Sequence, residues 1–321
     1  MTILVTGGLG VNGAPVLRKL VKPGLKLTVL DARTDLSLLD AATVAGLEVV
    51  CGDCTDMSLV EDLLRAREIR TVVHMAAIVA EAQQMPLDAF RVNAYGTTQL
   101  LDLAGRHGIK RFVFTSSRGV YGEQSGDTAH PVYRPIGEDD PLRPARVYDV
   151  CKVAAEGMGR NYAAIHGIEF IALRFATIYG PGKTLRHRNY GILSTLIERG
   201  LAGEPVRIAK GGDQKDDIIY VEDAAEAIVT AATHPRPGHA VYNISHGVGV
   251  TLHDLADAVR AYNPQADIEI GPGLNYMGWD VNYAGVLDNR RAAATLGFRP
   301  RFDLKAAVAD YAERLRSLPR A

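Results

Sequence analysis

Short apolar runs alternate with helix-length amphipathic segments through the first half of the chain. Thr2 to Thr6, Lys26 to Asp31, Leu47 to Asp53, Thr71 to Ala77, Arg111 to Ser117 and Ile168 to Phe175 read as strands. Because these runs are almost continuously apolar, they predict strands buried on both faces, and the segments between them supply the crossovers a parallel sheet needs. The expected fold class is α/β, a doubly wound parallel sheet. The second half is more interrupted, with a Gly/Pro turn at Gly180 to Gly182, a basic segment at Arg186 to Arg188, a helix near Ile192 to Gly200 and a strand at Ile218 to Val221. Well-patterned helices follow at Val221 to Thr233, Leu252 to Tyr262 and Leu304 to Leu315. No repeat or low-complexity linker separates the halves, so a smaller C-terminal α/β region is expected to pack on the carboxyl edge of the sheet. The division that follows is residues 1–175 plus about 215–245 for the sheet domain, and about 176–214 with 246–321 for the smaller one. A ligand cleft is expected between them.

Composition narrows the class of partner. The 321 residues are 47% hydrophobic and 23% charged, ordinary globular material for one large domain or two unequal ones. A formal net charge of -1 with interspersed signs gives no basic footprint for nucleic acid or an anionic membrane, which points to small-molecule ligands. No stretch approaches the roughly 18 uncharged apolar residues of a membrane span, and Met1 to Val5 runs into a strand rather than a signal peptide. A cytoplasmic location is the expectation. Cys51, Cys54 and Cys151 are too few for a disulfide framework. Cys51-x-x-Cys54 has the spacing of a redox pair or half a zinc site, but no two further ligands stand at a similar spacing, so no metal is expected.

Directly after the first strand, Gly7, Gly10 and Gly13 form Gly-x-x-Gly-x-x-Gly and lead into a helix through Ala14 to Leu20. Such a turn must be tight, lets backbone approach a pyrophosphate, and leaves the helix N-terminal amides aimed at the anion. Asp31 ends the second strand, where a carboxylate accepts hydrogen bonds from an adenosine ribose; that points to NAD, while Arg33 keeps NADP open. This is the dinucleotide-binding (Rossmann) arrangement. Farther on, Tyr148 and Lys152 stand one helical turn apart on a shared face. A phenol, with a reference pKa of about 10, needs a neighbouring cation to serve as a base at neutral pH. Tyr148 also reads as an ordinary helix N-terminal aromatic, and Ser117 as a strand-end cap; the cofactor turn is what tips both toward chemistry. His74 reads as a packed histidine.

At this point the residues resemble a known family, the extended short-chain dehydrogenases/reductases, in its NAD-dependent epimerase/dehydratase group. The resemblance covers nearly the whole chain: the opening Thr6-Gly7-Gly8-Leu9-Gly10-Val11-Asn12-Gly13, Gly52-Asp53, His74-Met75-Ala76-Ala77, Asn93 to Thr97, Thr115-Ser116-Ser117 with Val120-Tyr121-Gly122, the Tyr148/Lys152 pair, Leu173-Arg174, Tyr179 to Gly182, and Tyr220 to Ala224. It implies that Tyr148 is the general acid/base, that Lys152 holds the nicotinamide ribose and lowers the Tyr148 pKa, and that Ser117 hydrogen-bonds the reacting oxygen. It further implies that Gly7, Gly10, Val11, Asn12, Gly13, Asp31, Asp53, Cys54, Ala76, Ala77 and Asn93 surround the cofactor. Homodimerisation through two helices, about Leu87 to His107 and Tyr148 to His166, is also implied.

Departures from the family pattern bear on the substrate. Dehydratases carry Asp-Glu after the serine or threonine, and this chain has Arg118-Gly119, which sets 4,6-dehydration aside. Nucleotide-sugar epimerases typically carry asparagine at the position of Thr177 and arginine at that of Asp216. An aspartate facing a diphosphate is repulsive unless Lys215 substitutes, which favours a smaller substrate. Arg118, Arg186 and Arg188 are candidates to grip a carboxylate or phosphate, with Thr177 beside them; a solvated loop is the competing reading of the last two arginines. The first expectation is thus an NAD-dependent oxidoreductase acting on a secondary hydroxyl of a sugar, sugar acid or related small molecule. The alternative is an NAD-dependent nucleotide-sugar epimerase that retains its cofactor, and a catalytically idle scaffold is a third reading that intact Ser117, Tyr148 and Lys152 argue against.

Overall fold

The computed structural model describes residues 1–186 and 191–317. In chain order the first half comprises β1 (Thr2–Thr6), α1 (Gly13–Leu20), β2 (Lys26–Asp31), α2 (Ala41–Ala45), β3 (Leu47–Cys51), α3 (Met57–Ala66), β4 (Thr71–His74), α4 (Pro86–Phe90), α5 (Thr97–Arg106) and β5 (Arg111–Ser117). It continues through α6 (Val147–His166), β6 (Glu169–Phe175), β7 (Thr177–Tyr179), α7 (Lys183–Arg186), α8 (Ile192–Ala202), β8 (Val206–Ile208) and β9 (Asp216–Tyr220). Then come α9 (Val221–Thr233), β10 (Val241–Ile244), β11 (Gly249–Val250), α10 (Leu252–Tyr262), β12 (Ile268–Ile270) and α11 (Leu304–Ser317).

A parallel seven-stranded sheet runs in the order β10-β6-β5-β4-β1-β2-β3. The strands are apolar on both faces for the reason their composition suggests. Ile3 and Val5 of β1 pack in one layer with α1 and α9, while Leu4 between them packs in the other with α3 and α5. The chain reverses direction across the sheet between β1 and β4, and the carboxyl ends of strands at such a switch point open a crevice for a ligand. Smaller sheets, β11-β9-β7 and β12-β8, lie in the second half.

Expected and observed elements differ in informative places. The third and fourth strands end at Cys51 and His74, before Asp53 and Ala77, because the chain leaves the ladder there to form loops. The seventh strand, β10, was not anticipated; its four residues follow a Gly- and Pro-containing segment and are too few to show a period. The segment Leu87 to His107 is helical, but Arg91–Gly96 within it is wound as a π-helix.

Helix α6 departs most from simple patterning. Its buried stripe includes Asp149, Lys152 and Glu156 beside Cys151, Ala155 and Gly159. Glu156 is fully buried, one turn past Lys152. Its carboxylate accepts from Ser116 Oγ at 2.6 Å and from Arg174 of β6 at 2.7 to 3.2 Å. Arg174 also donates to the Tyr121 hydroxyl at 2.9 Å, and that hydroxyl donates to Asn243 of β10 at 2.7 Å. One carboxylate thereby joins α6 to β5 and β6. Removing one member of a buried ion pair leaves the other uncompensated and costs about 3–5 kcal/mol. Glu156→Ala is accordingly expected to lower the urea midpoint with little change in m-value; an unchanged midpoint would show that α6 is held without this tie.

Candidate functional site

The glycine turn sits where β1 feeds α1 at the sheet switch point. Gly7 has φ +69°, and a Cβ there would lie 2.6 Å from the Ala76 backbone; a Cβ on Gly13 would meet Gly8 O at 2.3 Å. Those two glycines are required by the fold itself. Gly10 differs, since a Cβ would find only Gly7 O, at 3.5 Å, so its other side is open to a ligand. Helix α1 has no side-chain hydrogen bond at its N-cap and no acidic residue in its first turn, so the positive end of its dipole faces the turn uncompensated, while the Gly13 and Ala14 amides donate to Gly10 O at 3.0 and 2.9 Å. Asn12 Oδ1 is a buried acceptor without a partner among the described residues. Asp31 accepts from the Leu9 amide at 3.0 Å and the Arg33 amide at 3.2 Å, which leaves carboxylate lone pairs for a ribose. The open space at Gly10, the helix dipole and the spare acceptors fit a dinucleotide.

The other residues expected around the cofactor hold the walls. Asn93 is buried and exchanges hydrogen bonds with the Ile78 backbone at 2.8 and 2.7 Å, fixing the segment that follows Ala76 and Ala77. Asp53 caps the Thr55 amide at 2.8 Å and pairs with Arg91 at 3.4 Å. Val11 and Cys54 are buried, and burial pushes the Cys54 thiol up to about 12, so it stays protonated. Cys51 is exposed. His74 is packed: its Nδ1 lies 2.6 Å from Thr6 Oγ1 and its Nε2 2.8 Å from Thr97 Oγ1, and burial pushes its pKa down to about 3.

Beyond the glycine turn lies a cavity of about 260 Å³ lined by Ser117, Tyr148, Asp149, Thr177 and Lys183 among others. Ser117 ends β5 and its Oγ accepts from the Gly119 amide at 3.0 Å, so it caps the following turn while facing the cavity. Tyr148 is in the first turn of α6. Lys152 Nζ donates to Thr115 O at 2.6 Å, 4.5 Å from the Phe114 ring centre and 5.3 Å from that of Tyr148. Only 2% of Lys152 is exposed, and burial pushes its pKa down to about 7, against the pull of Cys151 and Glu156.

Arg118 does not serve as the free anion grip expected of it. Its guanidinium is paired with Asp216 and donates to the carbonyls of Tyr283, Gly285 at 3.0 Å and Asp217 at 3.3 Å. A buried guanidinium needs such partners, and the nearest carboxylate supplies them. Asp216 also accepts from the Tyr276 hydroxyl at 2.8 Å and from Thr177 Oγ1 at 3.3 Å. Arg118, rather than Lys215, is therefore its counter-ion. Arg186 ends α7, and Arg188 lies outside the described residues.

Several cavity residues carry no sequence signal of their own. Asp149 follows Tyr148, accepts from the Tyr283 hydroxyl at 2.6 Å and the Arg146 amide at 3.1 Å, and is pushed above the usual carboxylate range by burial. Gly119 makes room for it, since a Cβ there would lie 2.1 Å from Asp149 Oδ1. Arg146 lies over the Trp279 ring at 5.5 Å. The lone Trp and neighbouring tyrosines in the glycine-rich stretch 271–283 were the available hint.

Comparison with known proteins agrees with this geometry. The family model described as the NAD dependent epimerase/dehydratase family matches residues 3–245. A UDP-glucose 4-epimerase of Mycolicibacterium smegmatis is 30% identical over 328 residues, covering 99% of each chain. Among solved structures, a Thermotoga maritima UDP-glucose 4-epimerase with UDP-glucose superposes with a TM-score of 0.84 at 26% identity, covering 98% of this chain and 99% of that one. A Thermus thermophilus UDP-glucose 4-epimerase in complex with NAD gives 0.81 at 28% identity, with the same coverage.

The burial of Lys152 has a measurable consequence. An unfolded lysine near 10.5 binds a proton that the folded one, near 7, releases, so between those pH values this group makes folding more favourable as pH rises. Without cofactor, Lys152→Met is expected to raise the melting temperature above that of the parent. The gain should be largest below pH 7 and shrink toward pH 10.5, as thermal unfolding across that range would read; a constant difference would contradict the assigned burial penalty.

Proposed function

The chain belongs to the NAD-dependent epimerase/dehydratase family, and from that premise we propose that it oxidises a secondary hydroxyl of a sugar, sugar acid or related small molecule. NAD, when bound, supplies the acceptor for the carbinol hydride. In this reading residues 1–175 with about 215–245 hold the cofactor, and about 176–214 with 246–321 hold the substrate. The amides after Gly10 and at the start of α1 take the pyrophosphate, and Asp31 takes the adenosine ribose. Ser117 orients the reacting oxygen. The Tyr148 phenolate accepts the hydroxyl proton, and the Lys152 ammonium beside its ring stabilises that phenolate. The observation that carries the proposal is the convergence of Ser117 and Tyr148 on one cavity, beside the open glycine turn.

A second reading, an epimerase that returns the hydride to the opposite face of its ketone, draws support from relatives named UDP-glucose 4-epimerase that align over nearly the whole chain. The two differ in cofactor traffic. A dehydrogenase needs added NAD and accumulates NADH, whereas an epimerase keeps NAD through purification and shows no net nicotinamide absorbance change. Tyr148→Phe is expected to lower turnover by about 100- to 10,000-fold, the span of general acid–base contributions, while NAD affinity stays near the parent value. Turnover equal to the parent's would remove Tyr148 from the mechanism.

We further propose a homodimer in a reducing, cytoplasmic setting, where the three free cysteines persist as thiols. Leu87, Phe90 and Tyr95 on one helical segment and Val150 and Ile165 on α6 are exposed apolar side chains, Leu87 at 84% and Ile165 at 70%. The two segments pack side by side, which suits a face covered by a second copy. Leu87→Asp combined with Ile165→Asp is expected to halve the mass seen by light scattering and leave the circular dichroism spectrum intact; an unchanged mass would place any interface elsewhere.

A further inference from the structure

One side chain stands between the cavity at Tyr148 and a second one. Tyr276 is 7% exposed and forms a wall of this cavity and of a second one, of about 300 Å³, lined by Leu196, Arg199 and Val206 to Lys210. The partition is built in. A Cβ on Gly211, which has φ +108°, would lie 2.3 Å from Tyr276 Cβ, so only glycine there lets the tyrosine seat. Asn275 before it has φ +57°, takes its amide to Gln214 Oε1 at 2.5 Å and donates from its side chain to Trp279 O at 2.8 Å. The Tyr276 hydroxyl is tied to Asp216, so the partition ends in a carboxylate whose charge Arg118 already answers.

Size and charge then point the same way. A volume of about 260 Å³ falls below the roughly 300–1,000 Å³ of sites for drug-sized ligands. A nucleoside diphosphate sugar needs room past Tyr276; there Arg199 is paired with Glu204 and Arg207 with Asp267, Lys210 stands beside them, and the near side of the partition presents Asp216 to a diphosphate. Among the described residues, Arg146 and Lys183 are the cations of the lining besides Arg118. Lys183 lines the cavity, and its Nζ donates to Ile178 O at 2.5 Å. Among the described residues no carboxylate pairs with it, and burial pushes its pKa down to about 8. An ammonium so placed is short of acceptors, and a ligand carboxylate would supply them. Asp149, Gln83 and Asn282 add acceptors and donors suited to hydroxyls.

We propose that the substrate is a single-unit polyhydroxylated monocarboxylate of hexonate size, its carboxylate taken by Lys183, and that the Tyr276–Asp216 partition shuts out nucleoside diphosphate sugars. The proposal rests on the reading of this cavity as the site of NAD-dependent alcohol oxidation and narrows it to one class of alcohol. The test is calorimetric titration of the NAD-loaded protein with D-gluconate, D-galactonate and D-mannonate, with the three matching aldoses, and with UDP and UDP-glucose. At least one hexonate is expected to bind 10-fold or more tightly than its aldose, and neither UDP nor UDP-glucose should bind at the same concentrations. In Lys183→Met the hexonate affinity should fall by about 10- to 100-fold, the weight of a charge-assisted hydrogen bond, and Lys183→Arg should recover part of it. Binding of UDP or UDP-glucose more tightly than every hexonate, no binding by any of the three hexonates, or a Lys183→Met protein with parental hexonate affinity would each overturn the proposal. Failure of the underlying reading has a separate signature, a Tyr148→Phe protein that binds hexonate and still turns over at the parental rate.

Discussion

Everything about the candidate site depends on a carboxylate buried where no water reaches it. Glu156 projects from α6 into the sheet and is held by Ser116 of β5 and Arg174 of β6. An isolated ionised carboxylate at such depth is untenable, so the three elements must meet for the charge to be tolerated at all. The requirement fixes register as well as contact. Ser116 precedes Ser117, and Glu156 lies one turn beyond Lys152, so one buried network sets the height of α6 against the end of β5. Gly159 lets α6 approach the neighbouring strand β6, since a Cβ there would overlap the Phe170 ring at 2.2 Å. The price of this polar interior is paid in stability, and Lys152 adds to it: an ammonium packed against Phe114 with Thr115 O as acceptor is costly to bury and useful beside a phenol.

A second set of contacts hangs the substrate wall on the same two anchors. Arg118, next to Ser117, donates to the carbonyl of Tyr283; Asp149, next to Tyr148, accepts from the hydroxyl of that same tyrosine. One wall residue is thus tied to the immediate neighbours of both chemical residues. Asp216 extends the arrangement to Tyr276 and Thr177 through the charge of Arg118. Substitutions at Arg118, Asp149 and Tyr283 are therefore not expected to add, because residues that share a hydrogen-bond network act together. Gly119 belongs to the same logic: the Asp149 carboxylate occupies the space that a Cβ would need.

How legible all this was in the sequence depends on whether a feature is local or is made by distant segments meeting. The strands, the glycine turn, Asp31 and the spacing of Tyr148 and Lys152 are local, with periods or spacings that physics dictates, and they could be read directly. Strand β10 could not, because four residues carry too little periodicity. Arg118 shows the limit most sharply. As a basic residue beside Ser117 it looked available to a substrate anion, yet its partner Asp216 is 98 residues away and becomes a neighbour only in the folded chain. The same holds for Asp149 and Tyr283, 134 residues apart. Sequence gives the type of a charge but not its counter-ion, and the counter-ion decides whether that charge is free to act.

That distinction bears on how specificity arises on this scaffold. Two departures that look like losses in isolation, Asp216 and Arg118, are a compensated pair, and the compensation moves both charges out of play. Among the described residues the other cations along the cavity are Arg146, over the Trp279 ring, and Lys183, which donates to a backbone carbonyl. In the reading proposed above, selectivity comes from subtraction as much as from addition: a neutralised carboxylate at one end, a tyrosine that divides the space, and an ammonium whose desolvation a ligand can relieve. The reaction centre and the substrate filter occupy opposite ends of one cavity, which lets the filter change its ligand while the buried Glu156 network keeps the acid/base pair in register.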